Sequence, residues 1–176
     1  MGRASPVAML SILLLSVLGA LGFAVTPPTW RSDATLSSHF RKHRAEFEQL
    51  VKMAMEDARL TRIAPDFRYP YDDVGSASNN IGIPEPRRDE YRRLFGRVGA
   101  SLGIWKDIDP SRIFFPIVSA GLVAAGWTKG LVYSTAPLSP VLKSLDERPP
   151  DEFWERSHVL VYRKIEDHWY IYYEQW

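Results

Sequence analysis

"SHVLVYRKIEDHWYIYYEQW" (157–176) decides the fold class. Two runs rich in β-branched and aromatic residues flank a polar centre, and side chains within each run alternate as strands require. Taking Glu166-Asp167 as the turn pairs Ile165 with His168, Lys164 with Trp169 and Tyr162 with Ile171. That register puts Leu160, Tyr162, Trp169, Ile171 and Tyr173 on one face. The other carries Val159, Val161, Ile165, Tyr170 and Tyr172, interrupted by Arg163, His168 and Glu174. A hairpin apolar on both faces is expected in the middle of a sheet, with helices on one side and a second cover on the other.

Working back along the chain, "PLSPVLKSLDERPPDEF" (137–153) reads as a Pro-rich connection. Before it, "RIFFPIVSA" (112–120), "LVAAGW" (122–127) and "LVYST" (131–135) read as strands separated by Gly121 and by "TKG" (128–130). Pro116 marks the first run as an edge strand or a bulged one. Upstream the period changes. Leu36, Phe40, Phe47, Leu50, Val51, Ala54 and Ala58 form one helical stripe, predicting a helix over roughly 34–60 with N-cap candidates Ser32, Asp33 and Thr35. A second helix over about 86–98 buries Tyr91, Leu94, Phe95 and Val98 and is stopped by Gly99. Between them lie "TRIAPDFRY" (61–69), a short strand or extended crossover, and the polar loop "PYDDVGSASNNIGIPEP" (70–86). The expected architecture is α+β: two amphipathic helices packed on an antiparallel sheet of about five strands. It occupies one domain, 33–176, after a linker at 26–32 that includes the Pro-stiffened "TPPTW".

The N-terminus carries a different message. "VAMLSILLLSVLGALGFAV" (7–25) is uncharged and follows a single Arg3, the pattern of a signal peptide or a signal anchor. Its length favours a retained hydrophobic helix, whereas the small residues Gly22 and Ala24 favour cleavage. The anchor is the expectation taken forward, with the membrane as a partner through this segment. In either case the domain faces out of the cytoplasm, tethered or exported to the periplasm or beyond.

Composition narrows the function. With 22 basic and 21 acidic residues the charge is balanced, so no overall field favours nucleic acid. The absence of cysteine removes disulfides, thiolate nucleophiles and Cys-based zinc sites. His39 and His43, at i, i+4 on the first helix with Glu46 three residues on, are the metal candidates. His39 and Glu46 are about 10 Å apart along the axis, too far for one ion to take all three, so no metal is expected. His158 and His168 fall on opposite hairpin faces. Arg88 and Arg92, in "EPRRDEYRRLFGR" (85–97), are ligand candidates, but interleaved acids favour a salt-bridged face. Tyr170 and Tyr172 are the aromatic candidates, as a binding surface or under a thinner cover. No nucleophile elbow, zinc-protease, phosphate-loop or dinucleotide motif is present.

"HFRKHRAEFEQLVKMAMEDARLTRIAPDF" together with "RRDEYRRLFGRVG…KGLVYST…IEDHWYIYYE" resembles small exported or membrane-anchored bacterial proteins of uncharacterised function, over most of 33–174. That resemblance brings no catalytic residues to this chain. The order of helix first, then antiparallel strands ending in an aromatic hairpin, also resembles cystatin-like and nuclear-transport-factor-2-like domains, which would imply a ligand between a curved sheet and its helices. The function expected is a non-enzymatic, envelope-facing domain, without cofactor, that binds a protein partner or a small ligand. The alternative is a hydrolase or ligand-processing enzyme with a pocket between the first helix and the sheet.

Overall fold

The computed structural model of the protein describes residues 31–57, 61–65, 83–106, 111–122, 125–146 and 158–176. The hydrophobic run 7–25 and residues 70–82 of the 70–86 loop lie outside them. No helix among the described residues is long and apolar enough to cross a membrane. Among these residues the helices are α1 (Asp33–Lys42), α2 (Arg44–Glu56) and α3 (Glu85–Val98). The strands are β1 (Arg62–Ile63), β2 (Ile104–Lys106), β3 (Arg112–Leu122), β4 (Ala125–Ser134), β5 (Val159–Glu166) and β6 (Trp169–Gln175). They form one antiparallel sheet in the order β1-β2-β3-β4-β6-β5. The α+β class stands, with one more helix than expected and six strands in the sheet.

The extra helix comes from a break in the predicted first one. At His43 the backbone moves to φ −116°, ψ 24°, and its N–H is shared between the carbonyls of His39 and Phe40, both at 3.1 Å. The hydrogen-bond ladder resumes at once, with Phe47 N–H donating to the His43 carbonyl at 3.1 Å. The stripe therefore continues across the kink: Phe40 and Phe47 both meet Trp169, with ring centroids 4.7 and 5.9 Å away. Ser32 caps α1 by accepting from Thr35 N–H, and Gly99, at φ 66°, ends α3 in the left-handed conformation that glycine adopts without steric cost.

Two expected strands merge into β4. "TKG" is no turn: Thr128 and Lys129 are 2% and 0% exposed inside the strand. Gly130 sits there because a Cβ would strike the Phe115 carbonyl of β3, at the bulge between Pro116 and Val118. β3 is bulged at Pro116, and because β2 pairs with it only at Ile113 and Phe114, the strand from Pro116 onward is also an edge among the described residues, so both readings of Pro116 hold.

The decisive hairpin forms, with its turn one residue later than expected. Asp167-His168 is the loop, Glu166 pairs with Trp169, and a bulge at Ile165 restores pairing of Lys164 with Tyr170 and Tyr162 with Tyr172. The bulge, a one-residue slip, leaves the β6 faces as expected and exchanges those of β5 beyond it. Val159 and Val161 join Trp169, Ile171 and Tyr173 under the helices, while Leu160 and Tyr162 join Tyr170 and Tyr172 on the outer face. Nor is the hairpin central, since β5 ends the sheet order. Its open edge is covered by the strap 135–146, a device against edge-to-edge pairing. Tyr162 N–H donates to the Pro140 carbonyl at 3.0 Å, and Leu142 N–H to the Tyr162 carbonyl at 2.7 Å. Leu138 packs on the outer cluster, Leu142 and Leu145 on the helix-side core, so the strap wraps around the β5 edge.

Candidate functional site

The kink at His43 aims α2 across the end of the sheet where the β5–β6 turn lies. Arg44, Glu48, Lys52 and Glu56 follow one another at i, i+4 and form a charged column. Beside it, Val51 and Met55 supply an apolar pair. The sheet contributes Tyr133 from the end of β4, and Asp167, His168 and Trp169 from the hairpin. Together these ten side chains line a cavity of about 630 Å³ between helix and sheet. That volume falls within the range of small-molecule sites.

The cavity has an apolar floor and a polar lip. Tyr133 meets Trp169 edge-on, centroids 5.4 Å apart at 70°, and lies 5.8 Å from the His168 ring. On the lip, Arg44 binds Glu48 at 2.7 Å and Glu166 at 2.8 Å, and these carboxylates raise its pKa. Asp167, held by Lys164 at 3.0 Å, has its pKa lowered by that ammonium. Lys52, 77% exposed and 4.0 Å from Glu56, is the loosest of these pairs.

His168 is the least ordinary member. Among the described residues it is the one non-glycine with positive φ, at 67°, in a turn position where glycine or asparagine costs less. Its Nδ1 lies 2.9 Å from the Ser134 carbonyl, an oxygen that only accepts, so Nδ1 carries the proton. In the neutral ring Nε2 is then an acceptor. His168 and Asp167 also border a second cavity of about 300 Å³, with Ser134, Lys164 and Tyr170 on its wall.

A separate ionic cluster lies in the core. Lys129, 0% exposed, directs Nζ at Asp33 Oδ1 (2.9 Å) and Asp146 Oδ1 (2.8 Å). Asp146 accepts the Asp33 backbone N–H on both carboxylate oxygens at 2.9 Å. Asp33 in turn accepts Leu145 N–H at 2.8 Å and Ser144 Oγ–H at 3.3 Å, with Arg163 Nε 3.5 Å away. These contacts fasten the start of α1, the strap and β4 to one another. Lys106 makes a similar tie, donating from Nζ to the carbonyls of Ala54 (2.7 Å) and Asp57 (2.9 Å), unpaired acceptors at the end of α2. Burial lowers the pKa of that ammonium.

The residues singled out in the sequence stand apart from the cavity. His39 donates from Nε2 to the Val98 carbonyl at 2.8 Å, and its ring lies 4.9 Å from that of His43. No group of three or more His, Asp or Glu side chains among the described residues is placed to hold a metal ion. His158 bonds Glu174 at 2.9 Å near the other end of the hairpin from His168. Arg92 is engaged by Glu85 (2.9 Å) and Asp89 (2.7 Å), and Arg88 by Glu85. Tyr170 and Tyr172 are 6% and 0% exposed in the outer cluster with Phe114, Val132 and Tyr162. Burial raises the Tyr172 pKa well above its ordinary value, and its hydroxyl has no hydrogen-bond partner among the described residues.

Neither His168 as a cavity residue nor the Lys129 cluster was expected. A clue to Lys129 lay in the sequence: within "GWTKGLVYS" (126–134), strand alternation puts it on the same face as Leu131. A lysine there demands a buried carboxylate. Reading "TKG" as a turn hid it.

Comparison with known protein families, with curated proteins and with solved structures finds no match to this chain.

Proposed function

We propose that residues 33–176 form an extracytoplasmic binding domain, held at the membrane by the hydrophobic run 7–25, that takes a small amphiphilic ligand between α2 and the β5–β6 turn. The observation that carries this reading is the cavity itself, about 630 Å³ with an apolar floor of Val51, Met55, Tyr133 and Trp169 under a lip of ionisable groups. A ligand with an apolar body and a polar end matches that division. Ligand-observed NMR with a set of aromatic acids and amines tests it on the full chain. Met55, 38% exposed at the cavity, can be enlarged without entering the core. Binding should occur in the wild type and be lost in Met55→Trp. Fragments bound equally well by both proteins would move the site elsewhere and favour a protein partner. Tethering is tested by sequencing the N-terminus of native protein: a start at or beyond Val25 would mean a released domain.

A ligand-processing enzyme is the second reading, favoured by one observation, the fixed tautomer of His168 with its free Nε2 acceptor at the cavity. Against it, the described lining contains no Ser or Thr hydroxyl for nucleophilic attack. Hydrolysis of a small ester panel that disappears in His168→Asn would establish it.

A further inference from the structure

The opposite end of the sheet differs in kind. From Ile113 to Thr128, across the end of β3 and the start of β4, the chain carries no charged residue. β2 pairs with β3 only at Ile113 and Phe114, so beyond the Pro116 bulge that edge of β3 has no neighbouring strand among the described residues. Natural edges are normally guarded by charge or by a covering segment. Here Ser119 and Gly121 are exposed, and no charged side chain stands on this stretch of the strand. Trp176, 42% exposed, is bonded in both directions to the Gly126 backbone at 3.1 Å and lies over that glycine, next to Trp127. Uncharged backbone flanked by tryptophans has the composition of a surface at the membrane–water boundary.

The path of α1 says which way this end faces. Asp33 sits beside Lys129, Ser37 beside Arg163, and Phe40 beside Trp169, which pairs with Tyr133. α1 therefore runs alongside β4 in the same direction, and its N-terminus points toward the β3–β4 tip. The chain enters from that side, eight residues after the uncharged run 7–25 ends. Arg31, exposed there, suits an anionic headgroup.

We infer that the end of β3 around Ser119 and Gly121, the start of β4 at Gly126, and Trp176 rest on the lipid bilayer at headgroup depth, so that the ligand cavity opens away from the membrane. This rests on the tethered reading above. The β3 edge, unpaired among the described residues, sets the depth, because backbone N–H and C=O groups without partners are tolerated among headgroups and excluded from hydrocarbon. From Gly126 to Tyr133 the sheet spans roughly 25 Å, which puts the cavity well clear of the lipid.

The absence of native cysteine makes the test direct. Ser119→Cys and, at the far end, the exposed Ala45→Cys are labelled with a nitrobenzoxadiazole dye in the full chain. Each is reconstituted into phosphatidylcholine–phosphatidylglycerol vesicles with and without nitroxide-bearing lipid. The Ser119 label should brighten several-fold and be quenched by the nitroxide, while the Ala45 label does neither. Protein that floats with the vesicles while both labels remain in water would overturn the inference and leave the tether standing. Protein that does not float would overturn both. A Ser119 label that is shielded but not quenched, and only at high protein density, would mean that a second copy pairs along β3 and would also overturn it.

Discussion

β6 places alternate rings on opposite faces of the sheet, and the two faces are built differently. Under the helices Trp169 touches Phe40, Phe47, Phe115 and Tyr133, with centroids 4.7 to 5.9 Å away. On the outer face Tyr172 meets Phe114 edge-on at 5.1 Å within a cluster of five buried residues. Both rings are nearly inaccessible, so depth does not distinguish them. The difference lies in cover: the helices close the inner face and bring Asp33 to its buried lysine, whereas no helix among the described residues packs on the outer cluster. The helix side is thus the face that fixes the fold.

The strongest way to break that contrast is Trp169→Ala. Removing a ring held by four others should cost about 3–5 kcal/mol, as large aromatic truncations in cores do. Thermal and urea melts of the full chain should show the variant barely folded, since most domains have only about 5–15 kcal/mol to lose. If Tyr172→Ser proved equally damaging, the two faces would be energetically equivalent and the contrast would fail.

Lys129→Met comes next. It leaves Asp33, 4% exposed, with its carboxylate still buried and its ammonium partner gone. Breaking a buried pair on one side costs about 3–5 kcal/mol, and the low end applies because Asp146 is a third exposed and can turn to water. Combining it with Asp33→Asn should recover part of the loss in the same melts. A double variant no better than the single one would mean that Lys129 contributes through its stem packing alone.

Tyr172→Phe sharpens the contrast from the other side. The hydroxyl it removes is buried without a partner among the described residues, a situation that costs about 1–3 kcal/mol. The variant should be more stable than the wild type by about that amount and melt at a higher temperature. A lower melting temperature would show that the hydroxyl is paired in solution.

How much of this was legible in the sequence follows from what each pattern encodes. Helical periodicity identified Phe40, Phe47, Tyr91 and Val98 as core, because spacing along a helix fixes a face whatever lies beyond it. It could not show the break at His43, which changes the direction of the helix and leaves its stripe intact. Alternation sorted β6 correctly, yet the β5 face was inverted by the bulge at Ile165, a one-residue slip to which a period of two is most sensitive and which alternation does not encode. Alternation also ranks residues without ranking faces, so it could not say which side had the deeper cover. A pocket between the first helix and the sheet belonged to the alternative reading, but the residues that line the cavity were invisible for a different reason. Its wall joins α2 to residues 133 and 167–169, and only the kink and the hairpin turn bring those together. Asp33 and Asp146, more than a hundred residues apart, meet at Lys129 because the strap wraps the β5 edge.

The smallest effect expected on the helix side is a dependence on pH through His39. Burial disfavours its charged form, and repulsion from His43, Arg31 and Lys42 adds to that, against an opposing hydrogen bond to the Val98 carbonyl. Its pKa in the folded protein therefore lies below the ordinary 6.5. The unfolded chain takes up the proton first as pH falls, so His39 stabilises the fold fully above 6.5 and loses that contribution between 6.5 and its lowered folded value. Melting temperatures recorded from neutral to mildly acidic pH should decline more steeply in the wild type than in His39→Gln, whose amide can still donate to Val98. The carboxylates elsewhere titrate alike in both proteins, so the difference between the two curves isolates the histidine. Parallel curves would place His39 in water and remove the α1–α3 contact from the set of interactions that make the helix face the deeper one.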